Sequence, residues 1–182
     1  LLRREAFGGT LFFVKEGKRI YVTKDEFEFI KKNNSLSGSL VTELGISVEQ
    51  VIVREPAQLL DHNFSAPDTV FLEVTKACNL TCIHCFNSSG KVLPDQLTEA
   101  QLKAIINDLA MSGIQEIRFT GGEPMAFPNI IALIRQASTL GLRCSMGTNA
   151  TLISDRKADS LKSAGLRAGI VSIDGLAERH DR

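Results

Sequence analysis

The segment Cys78-Asn79-Leu80-Thr81-Cys82-Ile83-His84-Cys85 contains three cysteines within eight residues. It comes shortly after residues 70–74, whose β-branched and apolar side chains predict a strand. The cysteines therefore lie in the loop at the carboxyl end of that strand, where β/α folds build their active sites. The segment predicts an α/β fold and a place on it for cysteine chemistry.

Three glycines mark a repeat around this segment. Gly113, Gly141 and Gly165 each stand between a helix-like stretch and a strand-like one, which is typical of a helix C-terminus. The first of these helices has Thr98 and Gln101 as a capping box, and the second spans 128–141. The predicted strands are residues 70–74, 116–120, 143–146 and 169–173. Strands that alternate with helices pair in parallel, so this part is predicted to be a parallel sheet with crossover helices.

The first part of the chain follows another pattern. Residues 10–14 and 19–23 predict a hairpin, and Thr23 with Glu26 forms a capping box for the next helix. Two further short helices are predicted over 36–44 and 48–54. The predicted organisation is a small α+β domain, a linker rich in polar residues and proline, and an α/β domain; their bounds are 1–56, 57–67 and 68–182.

Ligand count decides which metal chemistry the cysteines favour. Structural zinc takes four ligands, and the fourth would have to be His84 or the distant Cys144, whose alternation with Met146 predicts a buried strand thiol instead. Three thiolates from one loop can bind three corners of a [4Fe–4S] cluster and leave the fourth iron open. We therefore favour a cluster bound by Cys78, Cys82 and Cys85 over zinc.

This spacing, together with Gly121-Gly122-Glu123-Pro124 after the second predicted strand, resembles the radical S-adenosylmethionine (radical SAM) superfamily. The resemblance covers 68–182 and implies a partial (β/α) TIM-like barrel. It implies two cofactors, a [4Fe–4S] cluster and S-adenosyl-L-methionine (SAM), whose methionyl amine and carboxylate chelate the open iron. Thr148-Asn149-Ala150 matches the family's Thr-Asn-Gly except that alanine replaces glycine. Ser172-Ile173-Asp174-Gly175 is the remaining match.

The resemblance also implies which side chains bind the cofactor and what the protein does. The implied SAM-binding residues are His84, Gly121, Gly122, Glu123, Pro124, Asn149, Ser172 and Asp174. The glycines would let the backbone approach a ligand, and Glu123 would accept from an ammonium group. The implied reaction is reductive cleavage of SAM to a 5'-deoxyadenosyl radical that abstracts hydrogen from a substrate. An outside donor such as flavodoxin or ferredoxin would reduce the cluster.

The first domain bears on the substrate. Phe7-Gly8-Gly9-Thr10, the hairpin and the helices resemble the winged-helix-like, PqqD-like modules that recognise leader peptides in front of some peptide-modifying radical SAM enzymes. The resemblance implies a peptide maturase, with the leader added as a strand at a hairpin edge. Two alternatives stay open: a radical SAM enzyme acting on a small molecule such as a tetrapyrrole or a cofactor precursor, and a non-catalytic iron–sulfur redox regulator.

Composition limits the other partners. The chain of 182 residues has a formal net charge of zero, with 21 basic and 21 acidic residues, so no overall field favours nucleic acid or an anionic membrane. No run of about 18 apolar residues predicts a membrane span, and we expect a cytoplasmic protein. Because the chain begins at Leu1 and stops soon after the fourth predicted strand, we expect a piece of a longer protein that lacks its C-terminal part.

Overall fold

A computed structural model describes residues 1–46, 50–56, 59 and 64–180. Two four-stranded sheets organise it. The first sheet contains β1 (Leu2–Glu5), β2 (Gly8–Phe13), β3 (Lys18–Thr23) and β4 (Val53–Arg54), in the order β3-β2-β1-β4. β2 pairs antiparallel with both β1 and β3, and β4 is parallel to β1. The predicted hairpin is β2–β3, while β1 was not predicted.

Two helices accompany the first sheet, α1 (Lys24–Asn33) and α2 (Gly38–Leu44). The predicted capping box is present: Thr23 accepts from the Glu26 N–H, and the Glu26 carboxylate accepts from Thr23. Phe27 of α1 packs over Gly9, where a Cβ atom would come within 2.6 Å of the ring. Gly9 is thus required by the close contact between helix and sheet.

One predicted helix of this part is wrong. Within residues 48–54, Val53–Arg54 form β4, and the structure assigns no helix to residues 50–52. Val53–Arg54 pair with β1 through main-chain hydrogen bonds, and Val51 is buried among the apolar side chains of the first sheet and α1. These interactions outweigh a weak local helix propensity. Residues 47–49 and parts of the predicted linker, including His62, lie outside the described residues. The winged-helix prediction and the domain boundaries therefore remain predictions.

The second sheet contains β5 (Thr69–Glu73), β6 (Glu116–Thr120), β7 (Arg143–Thr148) and β8 (Leu166–Val171). All its pairings are parallel and follow chain order. Three helices cross between the strands: α3 (Glu99–Met111), α4 (Ile130–Thr139) and α5 (Asp155–Ala164). The short α6 (Ala177–His180) comes last. This mixed α/β architecture with a parallel sheet is consistent with the predicted partial (β/α) fold.

The helix C-terminal glycines were predicted correctly. Gly113, Gly141 and Gly165 have φ angles of 89°, 81° and 100°, which are strained for residues with a side chain. The last strand differs from its prediction, since β8 ends at Val171 and not at 173. Ser172 and Asp174 consequently lie in the loop after the strand.

The first sheet and its hairpin loop contact the amino-terminal ends of β5, β6 and β7. Arg3, which is fully buried, donates to the carbonyl oxygen of Gly113 at 3.1 Å and to Asp68 Oδ1 at 3.1 Å. Its Nε pairs with Glu5 at 2.6 Å. Asp68 directly precedes β5, and Gly113 precedes β6. The carboxyl ends of these strands therefore point away from the first sheet.

Two further arginines cross the same junction to backbone carbonyls. Arg54 donates to Ala110 at 2.9 Å and to Leu140 at 3.0 Å, at the C-terminal ends of α3 and α4, where a positive charge is favourable. Arg143 donates to the carbonyl oxygen of Val14 at 2.8 Å, in the hairpin loop.

No helix in the described ranges combines the length and apolar content needed to cross a membrane.

Candidate functional site

Four loops follow the carboxyl ends of β5–β8. Parallel pairing brings them to one edge of the sheet, as the sequence predicted. They are the cysteine loop after β5, Gly121–Glu123 after β6, Asn149–Ala150 after β7 and residues 172–175 after β8.

The two glycines after β6 approach the start of the cysteine loop. The Gly122 N–H donates to Thr75 O and the Glu123 N–H to Ala77 O, each at 2.8 Å. A Cβ atom on Gly121 would lie 2.3 Å from Thr75 O, and one on Gly122 would lie 2.3 Å from Ala77 O. Both positions exclude any side chain because two backbones meet there. The sequence predicted that these glycines would let the backbone approach a ligand; in the structure they approach the backbone at the start of the cysteine loop.

Glu123 ties the β6 loop to the β7 loop. Its side chain is fully buried. Oε1 accepts from the Met125 N–H at 2.9 Å and from the Thr148 hydroxyl at 2.8 Å. Oε2 accepts from the Asn149 N–H at 2.8 Å. Three donors from the protein thus surround this carboxylate, and Pro124 begins the buried turn that supplies one of them.

Asn149 links the β7 loop to the cysteines. Its Nδ2 donates to Asn79 Oδ1 at 3.1 Å and lies 3.8 Å from Cys78 Sγ. Its Oδ1 accepts from the N–H and hydroxyl of Thr151. The next residue, Ala150, has φ 61°, in the left-handed region. The family's glycine is thus replaced by alanine at a position where glycine would be less strained.

The three cysteines of the loop are all free thiols. Cys82 is exposed, and Cys78 and Cys85 are half-buried. Backbone N–H groups point at two of the sulfur atoms: Leu80 donates to Cys78 Sγ and Ser89 to Cys85 Sγ, both at 3.4 Å. Hydrogen bonds from residues 87–89, chiefly the Ser89 N–H, hold the pKa of Cys85 below its usual value.

These residues fit an iron–sulfur cluster by donor chemistry. A cluster needs thiolates and gains from hydrogen bonds to sulfur, and the loop offers both, together with a buried Ser89 hydroxyl that has no partner in the described part of the chain. Within the described ranges no three His, Cys, Asp or Glu side chains are gathered to hold a single metal ion. Cys144, by contrast, is fully buried in the core, and burial raises its pKa to about 12.

Two predicted cofactor residues meet across the opening of the site. His84 Nε2 lies 3.2 Å from Asp174 Oδ2, and both side chains are more than half exposed. Ser172 is exposed, and its backbone N–H donates to Thr148 O at 3.1 Å. The β8 loop thus contacts the cysteine loop through His84 and Asp174, and it contacts β7 through the backbone hydrogen bond of Ser172.

Sequence reasoning missed the residues that brace the cysteine loop. Lys76 Nζ donates to Asn87 Oδ1 at 2.6 Å, and Asn87 Nδ2 donates to Glu73 Oε2 at 2.7 Å. The run Asn87-Ser88-Ser89-Gly90 after the third cysteine is a turn signal, but it does not reveal which strand residues the turn contacts.

Comparison with known proteins identifies the family. The profile described as the radical SAM superfamily matches residues 72–182, which include all four loops. The chain belongs to the radical SAM superfamily. The matched relatives are named as synthases, cyclases and maturases, so the prediction of a radical SAM enzyme is confirmed at the level of the family.

Individual relatives of this radical SAM chain differ in what their names describe. An AdoMet-dependent heme synthase of Oleidesulfovibrio alaskensis is 41% identical over 111 residues, which cover 60% of this chain and 29% of the relative. The sporulation killing factor maturation protein SkfB of Bacillus subtilis is 28% identical over 179 residues, which cover 94% of this chain and 43% of the relative. The chain thus spans less than half the length of either.

Among solved structures, SuiB of Streptococcus suis bound to the precursor peptide SuiA has the same fold. The TM-score is 0.67 at 19% identity, over 97% of this radical SAM chain and 47% of SuiB. The likeness extends over both sheets, so it supports the fold of the first sheet as well as that of the parallel sheet.

Proposed function

We propose that this chain is the SAM-binding part of an enzyme that modifies a ribosomally made peptide. The observation that carries the proposal is the share of this chain that each match covers. Two of the matches span nearly the whole chain, at 94% and 97%: SkfB, named as a maturation protein, and SuiB, solved with a precursor peptide. The heme synthase match covers 60%.

The proposed roles in the site follow from the four loops. Cys78, Cys82 and Cys85 would hold the [4Fe–4S] cluster, and the loops that contain the predicted cofactor residues would bind SAM. When bound, these groups supply a one-electron cleavage of the sulfonium and a carbon radical able to abstract hydrogen, with flavodoxin or ferredoxin as the electron source. Glu123 holds the β6 loop and the β7 loop together through its hydrogen bonds. The exposed His84 and Asp174 lie at the opening of the site.

The first sheet offers the peptide an edge. β3 pairs only with β2 among the described strands, so its other edge can accept an added strand. Beside it, Phe7, Tyr21 and Phe64 form a partly exposed aromatic trio with ring centroids 6.0 to 6.2 Å apart. We assign this edge and the trio to recognition of the leader.

The position of that edge constrains the substrate. The first sheet contacts the amino ends of β5, β6 and β7, whereas the cysteine loop follows the carboxyl end of β5. A five-residue strand such as β6 is roughly 15 Å long at about 3.3 Å per residue. A peptide bound at β3 therefore needs a spacer of at least about five extended residues before the residue that is modified.

Two measurements test the proposal. Anaerobically reconstituted protein is examined by paramagnetic resonance with and without SAM, and a change in the reduced cluster signal is expected. Labelled synthetic peptides from short reading frames beside the gene are then titrated by fluorescence anisotropy. Binding should weaken at least tenfold in Tyr21→Ala and be unchanged in Met111→Ala, which truncates an exposed apolar side chain on α3.

A small-molecule enzyme is the second candidate, because the heme synthase has the higher identity. This candidate predicts that a ferric porphyrin binds the reconstituted protein saturably while no peptide binds. A cluster signal that ignores SAM would contradict both candidates.

A further inference from the structure

Residues 87–89, the donor segment, follow the third cysteine and present backbone N–H groups to it. The Ser89 N–H donates to Cys85 Sγ at 3.4 Å, and the Ser88 N–H donates to the carbonyl oxygen of Cys85 at 3.2 Å. Ser88 has φ 47°, an uncommon left-handed conformation for a residue with a side chain. Successive N–H groups around such a residue form an anion-binding nest, a feature of many iron–sulfur sites.

The Ser89 hydroxyl is the unexplained group in this segment. Its Oγ is buried, and it is the one buried side-chain oxygen or nitrogen in the described part of the chain without a hydrogen-bond partner. Leaving a buried hydroxyl unsatisfied costs about 1–3 kcal/mol, so such groups are uncommon without a purpose. This hydroxyl belongs to the same residue whose N–H donates to Cys85 Sγ.

The donor segment is held from both ends. On one side the Glu73–Lys76–Asn87 brace fixes Asn87, with Lys76 Nζ donating to both the side chain and the backbone oxygen of Asn87. On the other side the Gly90 N–H donates to Lys76 O at 2.9 Å, and the Cys78 N–H donates to Gly90 O at 3.0 Å. The segment is thus tied to β5 and to the first cysteine.

We propose that Ser89, held by this brace, donates hydrogen bonds to the sulfur atoms of the cluster at Cys85 and thereby raises its reduction potential. A hydrogen bond to sulfur stabilises the more negative, reduced cluster, and such bonds are among the determinants of cluster potential. The proposal rests on the cluster of the proposed function, but it requires neither SAM nor peptide.

The test is a redox titration of anaerobically reconstituted protein without SAM, followed by paramagnetic resonance. At a fixed solution potential near the wild-type midpoint, Ser89→Ala should lower the ratio of reduced to oxidised cluster at least threefold. Asn87→Ala, which releases the brace, should shift the ratio in the same direction. Ser89→Thr keeps a hydroxyl and should restore much of the wild-type value.

Two controls distinguish a change in the reduction potential of the cluster from loss of the cluster. Iron and sulfide content per chain must match wild type in each variant, and Ser39→Ala, at an exposed serine on α2, should titrate as wild type does. If Ser89→Ala has a full cluster with an unchanged midpoint, the proposal is overturned.

Together with the paramagnetic resonance measurement with and without SAM, the titration distinguishes this inference from the proposed function. If the wild-type protein forms no cluster, both are overturned. If adding SAM does not change the cluster signal but the midpoint potential is lower in Ser89→Ala, the inference is supported and the proposed function is overturned. If the cluster responds to SAM while Ser89→Ala keeps the wild-type midpoint, only the inference falls.

Discussion

Glu123 and Asn149 are joined by a hydrogen bond of 2.8 Å from the Asn149 N–H to Oε2 of a fully buried carboxylate. Every donor to this carboxylate is an N–H or a hydroxyl. Glu123→Gln replaces one acceptor oxygen by a donor, so at least one buried donor loses its partner. We expect a loss of about 1–3 kcal/mol in the free energy of unfolding, measured by urea denaturation.

Glu26→Gln is the matched control, because Glu26 also accepts from a backbone N–H but in an exposed capping box. Glutamine serves equally in that motif, so a change below about 0.5 kcal/mol is expected. Equal losses in both variants would show that burial of Glu123 does not matter.

Ala150 offers a stabilising substitution. Because its φ angle of 61° is unfavourable for any residue with a Cβ atom, Ala150→Gly should raise the free energy of unfolding by about 1 kcal/mol. The opposite sign is expected for Ala158→Gly, at an exposed position inside α5, where glycine costs about 1 kcal/mol. Destabilisation by both glycines would refute the assignment of strain to Ala150.

The cysteines should differ in reactivity with pH. In metal-free protein, hydrogen bonds to Cys85 favour its thiolate, so its alkylation by iodoacetamide should reach half its maximal rate at a lower pH than an ordinary thiol. The pKa of Cys144 is raised to about 12 by burial, and this thiol should stay unlabelled at pH 8 until the protein unfolds. Site-resolved mass spectrometry measures both, and labelling of native Cys144 at the rate of Cys82 would contradict the packing described above.

Adjacent arginines should contribute very differently to stability. Arg3 is fully buried with Glu5, so Arg3→Met leaves a buried carboxylate without its positively charged partner and should cost about 3–5 kcal/mol. Arg4 pairs with Glu28 and Glu55 at the surface, and Arg4→Met should cost at most about 1 kcal/mol. Thermal and urea unfolding measure both, and similar losses would mean that the buried junction adds little.

Local sequence patterns determined much of the fold. Capping boxes at Thr23 and Thr98, and glycines at helix ends such as Gly113, fixed helix positions because they satisfy backbone groups within a few residues. The alternation of strands and helices was enough to predict parallel pairing. The pairing of β1 with β4 was not predicted, because it joins segments that are far apart in the sequence. Two short strands carry no local pattern that indicates which strand each will pair with.

The site divides in the same way. By itself, the sequence was enough to predict which residue types would serve the chemistry. The spacing of Cys78, Cys82 and Cys85 and the three motifs after the other strands could be recognised because metal and cofactor binding demand particular groups at short spacing. Only the tertiary structure decided what these groups contact. Burial of Glu123 between two loops, and the brace that holds the donor segment at Cys85, arise from parallel strands that bring distant loops to one edge, and no local pattern encodes such contacts.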